Sequence, residues 1–332
     1  MIIVIGASSF IGTYLVDELV AHGRKVFATG YSNLSREYHV SKGIEFAQVN
    51  IARKQDLTRL PEENIDAVIL LASLLPANDV ECDPQRYVDV NVSGTLNVLE
   101  YCRTHRAKKI IFASSHSDVA GLWDCGRAIT EEDPLSIIYT GDHAVYVITK
   151  IAAMNLVEHY HQVHGITGIS FRLPAVYGYG PHTEIYVDGK PTVPGFTTFI
   201  RKAAAGDPIE IWGDPSRGRD LVYVKDVVGA FVGAIDSSAA HGLYNIASGI
   251  KTSLDEEVKC IIEVFSPPER RSAIRYRPDK PDMPYAYLYD ISKARRDLHY
   301  EVRYPLMRML QDFRDEMISQ RFQHLIGREK KG

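Results

Sequence analysis

The N-terminal stretch constrains the fold of this chain more than any other feature of the sequence. A short apolar run, residues 1–5, leads at once into the turn Gly6-Ala7-Ser8-Ser9-Phe10-Ile11-Gly12. A helical pattern follows and ends at Gly23, with four apolar residues on one face: Ile11, Leu15, Leu19 and Val20. This order of strand, tight glycine turn and helix is the context in which the N–H groups of a helix N-terminus bind the pyrophosphate of a dinucleotide.

The two glycines of this turn have distinct expected roles. Gly6 permits the sharp turn, and Gly12 allows the helix to pack closely on the strand. Ser9 stands where the usual pattern has its middle glycine, so the match is incomplete. An ordinary glycine turn is the alternative interpretation, but the position between a strand and a helix favours cofactor binding.

The end of the second predicted strand bears on which cofactor binds. Residues 25–29 are predicted to form this strand, which continues into Gly30-Tyr31-Ser32-Asn33 with Arg36 shortly after. NAD sites usually carry an acidic residue here, which binds the ribose hydroxyls. Because no acid is present to repel a 2′-phosphate, and Ser32, Asn33 or Arg36 could contact one, the sequence slightly favours NADP. A solvated loop charge is the alternative for Arg36.

The first half of the chain alternates strands and helices, which predicts an α/β fold with a doubly wound parallel sheet. Further strands are predicted at residues 45–49, 67–72 and 109–113, and most of these runs are rich in Val, Ile and Leu. Such continuous apolar runs are typical of a parallel sheet covered on both faces. Ligands of these sheets bind beyond the carboxyl ends of the strands, where Gly6, Ala72 and Ser115 all fall.

Tyr146 and Lys150, four residues apart, form the candidate catalytic pair. On a helix they lie one turn apart on the same face, so the lysine cation is expected to favour the phenolate and lower the pKa of the tyrosine. Ser115, at the end of the preceding strand, can hydrogen-bond a substrate oxygen and assist the same proton transfer. A surface tyrosine–lysine pair and a capping serine are the alternative interpretations.

Composition argues against several classes of protein. The 332 residues carry a formal net charge of −4, with no basic block except the short tail at 328–331, so nucleic acid is not expected as a partner. No apolar run reaches the ~18 residues of a membrane span, and the chain opens on a predicted strand rather than a signal sequence. Four scattered cysteines indicate reduced thiols in a cytoplasmic protein, and their spacing predicts no metal site: Cys82, Cys102, Cys125 and Cys260.

Taken in order, the motifs of the chain resemble those of the extended short-chain dehydrogenase/reductase family, in its NAD(P)-dependent nucleotide-sugar epimerase/dehydratase branch. The resemblance covers nearly the whole chain. Besides the glycine turn, it rests on Asn91-x-x-Gly94-Thr95, Ser114-Ser115, Tyr146-x-x-x-Lys150, Arg172 with Val176-Tyr177-Gly178, and residues 219–226, 243–249 and 290–294. It implies a Rossmann-type domain (1–176 and 222–250) and a smaller, mainly substrate-binding lobe with the C-terminal helices (177–221 and 251–332).

The resemblance also implies roles for individual residues. Tyr146 would exchange a proton with a sugar hydroxyl, Lys150 would hold the nicotinamide ribose and Ser115 would bridge substrate and tyrosine. The implied contacts with the pyrophosphate are Gly6, Ser9, Phe10, Ile11 and Gly12, and those with the adenine are Asn50 and Ile51. Leu71, Ala72 and Ser73 would pass beneath the cofactor. The remaining predicted cofactor contacts are Ser32, Arg36, Asn91, Tyr146 and Lys150. The implied substrate contacts are Arg219 and Arg277 at the diphosphate, Trp212 beside the base, and Ser114 and His116.

Three departures from the family pattern are visible in the sequence. Ala175 replaces an asparagine that contacts substrate, and Val119-Ala120-Gly121 comes one residue later than its counterpart. His116 follows Ser115 where sugar dehydratases and decarboxylases of the family carry an additional acid/base group, so those two reactions are not expected. The alternative interpretation of His116 is a structural role instead of substrate contact. The alternative interpretation of Trp212 is a position in the buried core.

These observations lead to three hypotheses of function. The first is a nucleotide-sugar epimerase that inverts C4 by transient hydride transfer to NAD(P). The second is an NADPH-dependent reductase of a keto-sugar or another small carbonyl compound, favoured by the missing acid after the second strand. The third is a non-catalytic cofactor-binding regulatory protein, against which the Ser115, Tyr146 and Lys150 set argues. The resemblance further implies a homodimer through the helices at Asn91 and Tyr146.

Overall fold

The computed structural model describes residues 1–78, 83–182 and 184–325. Its strands are, in chain order, β1 (Ile2–Ile5), β2 (Val26–Gly30), β3 (Glu45–Gln48), β4 (Ala67–Leu70), β5 (Lys109–Ser115), β6 (Thr167–Leu173), β7 (Val176–Tyr177), β8 (Ile185–Val187), β9 (Lys190–Thr192), β10 (Ile209–Trp212), β11 (Gly218–Asp220), β12 (Val222–Tyr223), β13 (Gly242–Asn245), β14 (Lys251–Ser253) and β15 (Ile274–Arg277). Its α-helices are α1 (Phe10–Ala21), α2 (Arg36–Val40), α3 (Pro84–Tyr87), α4 (Gly94–Thr104), α5 (Ala144–His164), α6 (Gly195–Ala205), α7 (Val224–Asp236), α8 (Leu254–Phe265), α9 (Ser292–Leu298) and α10 (Leu306–Ser319).

The large sheet confirms the expected fold class. Across the described residues, seven strands form one sheet in the order β13-β6-β5-β4-β1-β2-β3, and every neighbouring pair is parallel. The chain starts in the middle of the sheet at β1, adds β2 and β3 on one side, and then adds β4, β5, β6 and β13 on the other. This winding places the carboxyl ends of β1, β4 and β5 side by side at one edge.

The strands are apolar without alternation because both faces of the sheet are covered. Ile2 and Val4 of β1 pack into one core, which includes residues of α1 and α7. Ile3 and Ile5 pack into a second core on the opposite face, which includes residues of α4 and α5. Each such side chain contributes about 1.5–3 kcal/mol by leaving water, so the β1 register is strongly fixed.

Among its described residues, the second half of the chain adds four two-stranded sheets. β7 pairs with β12 and β10 with β15 in parallel, whereas β8–β9 and β11–β14 are antiparallel. Residues 285–289 return from the C-terminal part, where Tyr287 pairs with Arg219 and Tyr289 with Ile129. The division into 1–176 with 222–250 and 177–221 with 251–332 stays a prediction.

Two helix boundaries differ from the predicted ones. A helix is expected to begin at Asn91, but the helical backbone begins earlier, at α3. It continues through a π-helical turn at Val88–Ser93 into α4. The last helix, expected to reach about residue 322, ends at Ser319. No helix in the described ranges has the length and hydropathy needed to cross a membrane.

Candidate active site

The glycine turn is built as a close-packed N-terminus of α1. Ser9 is the N-cap, and its hydroxyl accepts the Gly12 N–H at 3.1 Å. Gly6 has a φ of +96°, and a Cβ there would lie 2.8 Å from the backbone nitrogen of Ala72. A Cβ on Gly12 would lie 2.3 Å from the Gly6 carbonyl oxygen. Both positions therefore require glycine, and the serine between them caps the helix instead of opening the turn.

Several predicted cofactor contacts border this turn. Leu71 and Ala72 donate their N–H groups to the Ile5 carbonyl, at 2.9 and 3.0 Å, and Ser73 follows them. Phe10 also packs its ring against Tyr14, with the ring centroids 5.8 Å apart. The structure thus brings the backbone of the glycine turn together with the end of β4.

The residues predicted at the adenine follow β3. The Asn50 N–H donates to Asp56, and the Asn50 side-chain oxygen accepts from the Ala52 N–H, both at 3.0 Å. Ile51 is buried, and its side chain lies 2.7 Å from the position that a Cβ on Gly94 would take. These contacts form a tight turn at the edge of the sheet, and Gly94 makes room for it.

Ser32 and Arg36, predicted to contact a 2′-phosphate, are held by local contacts. The Ser32 hydroxyl accepts the Leu34 N–H at 3.5 Å. The Arg36 guanidinium is exposed and donates to the Phe46 carbonyl at 3.3 Å. This is the geometry of a loop arginine tied to the neighbouring strand, which was the alternative interpretation.

Asn91 connects two parts of the site. Its side chain accepts the Leu74 N–H at 2.7 Å and donates to the Leu74 carbonyl and to the Thr149 hydroxyl, each at 3.1 Å. Thr149 precedes Lys150 on α5. Asn91 therefore ties the loop after β4 to the helix that carries the catalytic pair, which is a positioning role.

Ser115, Tyr146 and Lys150 come together at the carboxyl edge of the sheet, and all three are buried. Ser115 ends β5, while Tyr146 and Lys150 lie one turn apart on α5. The Ser115 hydroxyl accepts the Ser117 N–H at 3.3 Å, so this serine also caps the following turn. Its side chain is also the hydrogen-bond partner that lowers the pKa of Tyr146, against the effect of burial.

The expected lowering of the Tyr146 pKa by Lys150 is wrong for the protein as described. Burial raises the pKa of Tyr146 to about 12, although the hydrogen bond with Ser115 works in the opposite direction. Burial also lowers the pKa of Lys150 to about 7. The Lys150 ammonium lies 4.1 Å from the centre of the Phe112 ring. Desolvation disfavours both charged forms, and neither group contributes to the pKa shift of the other.

Ser114, predicted to contact substrate, is a second buried hydroxyl beside this pocket. Its Oγ has no hydrogen-bond partner among the described residues. A buried unpaired hydroxyl costs about 1–3 kcal/mol, so such a group is typical of a site that accepts a ligand.

His116 is packed into a group of rings that we call the aromatic wall: His116, Trp123, Tyr285, Tyr287 and Tyr289. The His116 ring lies 4.7 Å from that of Trp123 and 4.9 Å from that of Tyr287. The hydroxyl of Tyr289 accepts from Trp123 Nε1 at 3.0 Å and lies 2.9 Å from His116 Nδ1. Burial lowers the pKa of His116 to about 3, so its imidazole is neutral. Sequence reasoning missed the other four rings, although tyrosine at every second position of 285–289 was a visible signal.

Arg219 lies beside the aromatic wall on β11. One of its terminal nitrogens is 3.7 Å from a carboxylate oxygen of Glu257, which is fully buried on α8. Arg219 Nε and the other oxygen of Glu257 have no hydrogen-bond partner among the described residues. The guanidinium also lies 5.9 Å from the ring centre of Tyr177. Arg219 thus keeps donor capacity for a ligand, and Glu257 is a site residue that the sequence did not reveal.

Trp212 and Arg277 lie side by side on the β10–β15 pair, where they are register partners. The Trp212 ring is 48% exposed, so the buried-core interpretation is wrong. Arg277 is paired with Asp279 at 2.8 Å and with Glu210 at 3.3 Å. The structure therefore places these two predicted substrate contacts at the surface.

The cysteines and metal-ligating side chains form no further centre in the described ranges. Cys102 is buried, Cys125 is exposed and Cys260 is partly buried, and each is a free thiol. Cys82 lies outside the described residues. No group of three His, Cys, Asp or Glu side chains suited to a metal ion occurs in that part of the chain.

Comparison with known proteins relates this chain to epimerases in both sequence and structure. The model of the NAD dependent epimerase/dehydratase family matches residues 2–247. The chain is 28% identical over 314 residues to the UDP-glucuronate 4-epimerase of Thermodesulfobacterium geofontis, covering 90% of each chain. It is 28% identical over 303 residues to the UDP-glucose 4-epimerase of Mycolicibacterium smegmatis, covering 89% of each. The UDP-glucose 4-epimerase structure from Thermotoga maritima has a similar fold, with a TM-score of 0.77 at 24% identity over 96% of this chain and 99% of that one.

The family match bears on the cofactor and on the class of the protein. Because the family is NAD dependent, and Ser32 and Arg36 are engaged locally, the slight preference for NADP is not supported. The matched residues span most of the chain and contain Ser115, Tyr146 and Lys150. This chain belongs to the NAD-dependent epimerase/dehydratase family and is an enzyme of the extended short-chain dehydrogenase type.

Proposed function

We propose that this protein is an NAD-dependent nucleotide-sugar epimerase that inverts the configuration at C4 of the sugar. The observation that carries the proposal is the convergence of Ser115, Tyr146 and Lys150 in one buried pocket. The aromatic wall connects this pocket to Arg219, since the Tyr287 ring touches His116 and its backbone pairs with Arg219. The names of the relatives from T. geofontis and M. smegmatis, both 4-epimerases, support the same reaction.

The residues at the carboxyl edge fit NAD. The turn from Gly6 to Gly12 offers the N-terminus of α1, capped by Ser9 at the Gly12 N–H, and a helix N-terminus suits a pyrophosphate. The buried ammonium of Lys150 is suited to the ribose hydroxyls. NAD bound there supplies a hydride acceptor and donor for a carbon that carries a hydroxyl.

The protein side chains move the proton. Tyr146 takes the proton of the C4 hydroxyl as the hydride leaves C4, and it returns the proton when hydride is restored on the opposite face. The Ser115 hydroxyl, hydrogen-bonded to the tyrosine side chain, orients the sugar oxygen for this exchange. Because burial raises the pKa of Tyr146, the phenolate needs a nearby cation, and protonated Lys150 is one turn away.

We also propose that two copies associate through α4 and α5. Leu96 on α4 and Ile148 on α5 are exposed apolar residues on these neighbouring helices. Burying them in a second copy would remove apolar surface from water. Sedimentation equilibrium of the wild type and of Ile148→Glu measures this directly, and a monomeric wild type would contradict it. The cytoplasmic location stays a prediction.

The function is tested by incubating the protein with a panel of nucleotide sugars and separating the products by chromatography coupled to mass spectrometry. The epimerase gives an isomer of unchanged mass without net consumption of cofactor. A product that gains two hydrogen atoms only when NADPH is supplied would establish the reductase instead. Nucleotide-sugar binding without any product would favour the regulatory protein.

Tyr146→Phe tests the assignment of the acid/base group. Removal of the hydroxyl should lower turnover by about 10²–10⁴-fold while the Kd for NAD stays unchanged, because only proton transfer is lost. Turnover within tenfold of the wild type would contradict the assignment.

A further inference from the structure

We infer that the aromatic wall forms one side of the sugar pocket and that the enzyme prefers an uncharged hexose to a uronate. This inference rests on the proposed function and specifies its substrate. The wall combines residues from the turn after β5 with residues 285–289, which lie beyond the part of the chain that the family model matches.

The position of the wall follows from its neighbours. His116 directly follows Ser115, so one end of the wall adjoins the reacting group. Tyr287 pairs with Arg219, and its carbonyl accepts the Asp220 N–H at 2.9 Å, so the other end adjoins the arginine at the proposed diphosphate site. In a nucleotide hexose the diphosphate is on C1 and the reacting hydroxyl is on C4, across the ring. The sugar ring and its C5 substituent therefore lie along the wall.

The hydrogen bonds within the wall fix its polarity. The Tyr289 hydroxyl accepts a hydrogen bond from Trp123 Nε1 and lies 2.9 Å from His116 Nδ1, to which it can give its own hydrogen. An imidazole that accepts at Nδ1 is neutral, and the low pKa of His116 agrees with this. The wall thus offers ring surfaces, tyrosine hydroxyls and a neutral imidazole, but no positive charge at neutral pH.

The cations around the wall are already committed. Arg172 is buried and its guanidinium donates hydrogen bonds to the Asp118 carboxylate, with nitrogen–oxygen distances of 2.9–3.0 Å. Arg219 and Lys150 serve the proposed diphosphate and ribose sites. A C5 carboxylate would lose its hydration against neutral rings without a cationic partner, whereas a hydroxymethyl or methyl group would pack against them.

The first test needs only the wild-type protein. Kd and kcat/KM are measured for UDP-glucose and UDP-glucuronate, with the Kd of UDP alone as reference. We expect UDP-glucose to be favoured by at least about tenfold in kcat/KM, since an unpaired buried charge is strongly disfavoured. Equal use of the two sugars, or a preference for the uronate, would overturn the inference. No turnover of either sugar and no binding of UDP would instead overturn the proposed function.

The second test moves a charge into the wall. His116→Lys should shift the ratio of the two Kd values toward UDP-glucuronate by about tenfold, because the ammonium supplies the missing partner. His22→Lys, at an exposed position after α1, is the matched control and should leave the ratio unchanged. An unchanged ratio in a folded His116→Lys protein would overturn the inference. If thermal unfolding shows that this variant does not fold, the wild-type preference alone decides.

Discussion

Two arginine–carboxylate pairs, each with a buried carboxylate, differ in how completely they are satisfied. Arg172 on β6 makes three hydrogen bonds to Asp118 and also donates to the Thr130 carbonyl and the Asn245 side chain. Arg219 on β11 approaches Glu257 only to 3.7 Å, and both side chains keep a buried atom without a partner.

The difference separates a structural pair from a binding pair. The Arg172–Asp118 pair joins β6 to the turn after Ser115, and its side chains are only 1% and 2% exposed, so a ligand does not reach it. The Arg219 guanidinium, 26% exposed, has donors to spare and faces the aromatic wall. Natural proteins rarely leave buried polar atoms unpaired, so the unsatisfied pair is the one expected to act on a substrate.

Breaking the satisfied pair should have the largest effect. Asp118→Ala leaves the Arg172 charge buried without compensation, which is expected to lower the free energy of unfolding by about 3–5 kcal/mol. Chemical denaturation measures this change. Asp124→Ala removes the half-exposed partner of Arg217 and serves as the control, with an expected loss below about 1 kcal/mol. Equal losses in the two variants would show that the buried network is not structural.

The buried ammonium of Lys150 provides the opposite case, a charge with no carboxylate partner. Its pKa of about 7 lies below the ordinary 10.5, so the folded protein resists protonation of this group. The resulting destabilisation is full below pH 7 and disappears as the pH rises from 7 to 10.5. Lys150→Met should therefore raise the free energy of unfolding by about 3 kcal/mol at pH 6, and by much less at pH 10, while turnover is lost. A gain that does not depend on pH would contradict this explanation.

The unsatisfied pair should respond in binding rather than in stability. Arg219→Lys keeps a positive charge beside Glu257 but loses the planar fork that matches a phosphate. We expect the Kd for UDP to rise by about tenfold, with little change in the unfolding midpoint. Arg270→Lys, at an exposed ion pair with Asp207, is the control. A destabilised variant with unchanged UDP affinity would place Arg219 with the structural pair.

The surface arginine Arg277 should give the smallest effect. Its guanidinium is already bound by Asp279 and Glu210, so a phosphate would have to compete with two carboxylates. Arg277→Lys is expected to raise the Kd for UDP by no more than about threefold. A loss as large as that of Arg219→Lys would show that the ligand displaces both carboxylates.

The sequence by itself determined the fold class, the glycine turn and the Tyr146–Lys150 spacing. These features depend on local periodicity: apolar runs of strand length, a helix of period 3.6, and two glycines at the start of α1. The burial on both faces follows from the same apolar runs and was predicted from them, whereas the order of the strands in the sheet came from the structure.

Only the tertiary structure decided the aromatic wall, the Glu257 partner of Arg219 and the pKa values of the catalytic pair. His116 and Tyr289 are 173 residues apart in the chain, and no local pattern joins them. The raised pKa of Tyr146 and the lowered pKa of Lys150 come from desolvation, which depends on everything packed around them. Spacing places two side chains on one face of a helix, but the rest of the chain decides whether that face meets water.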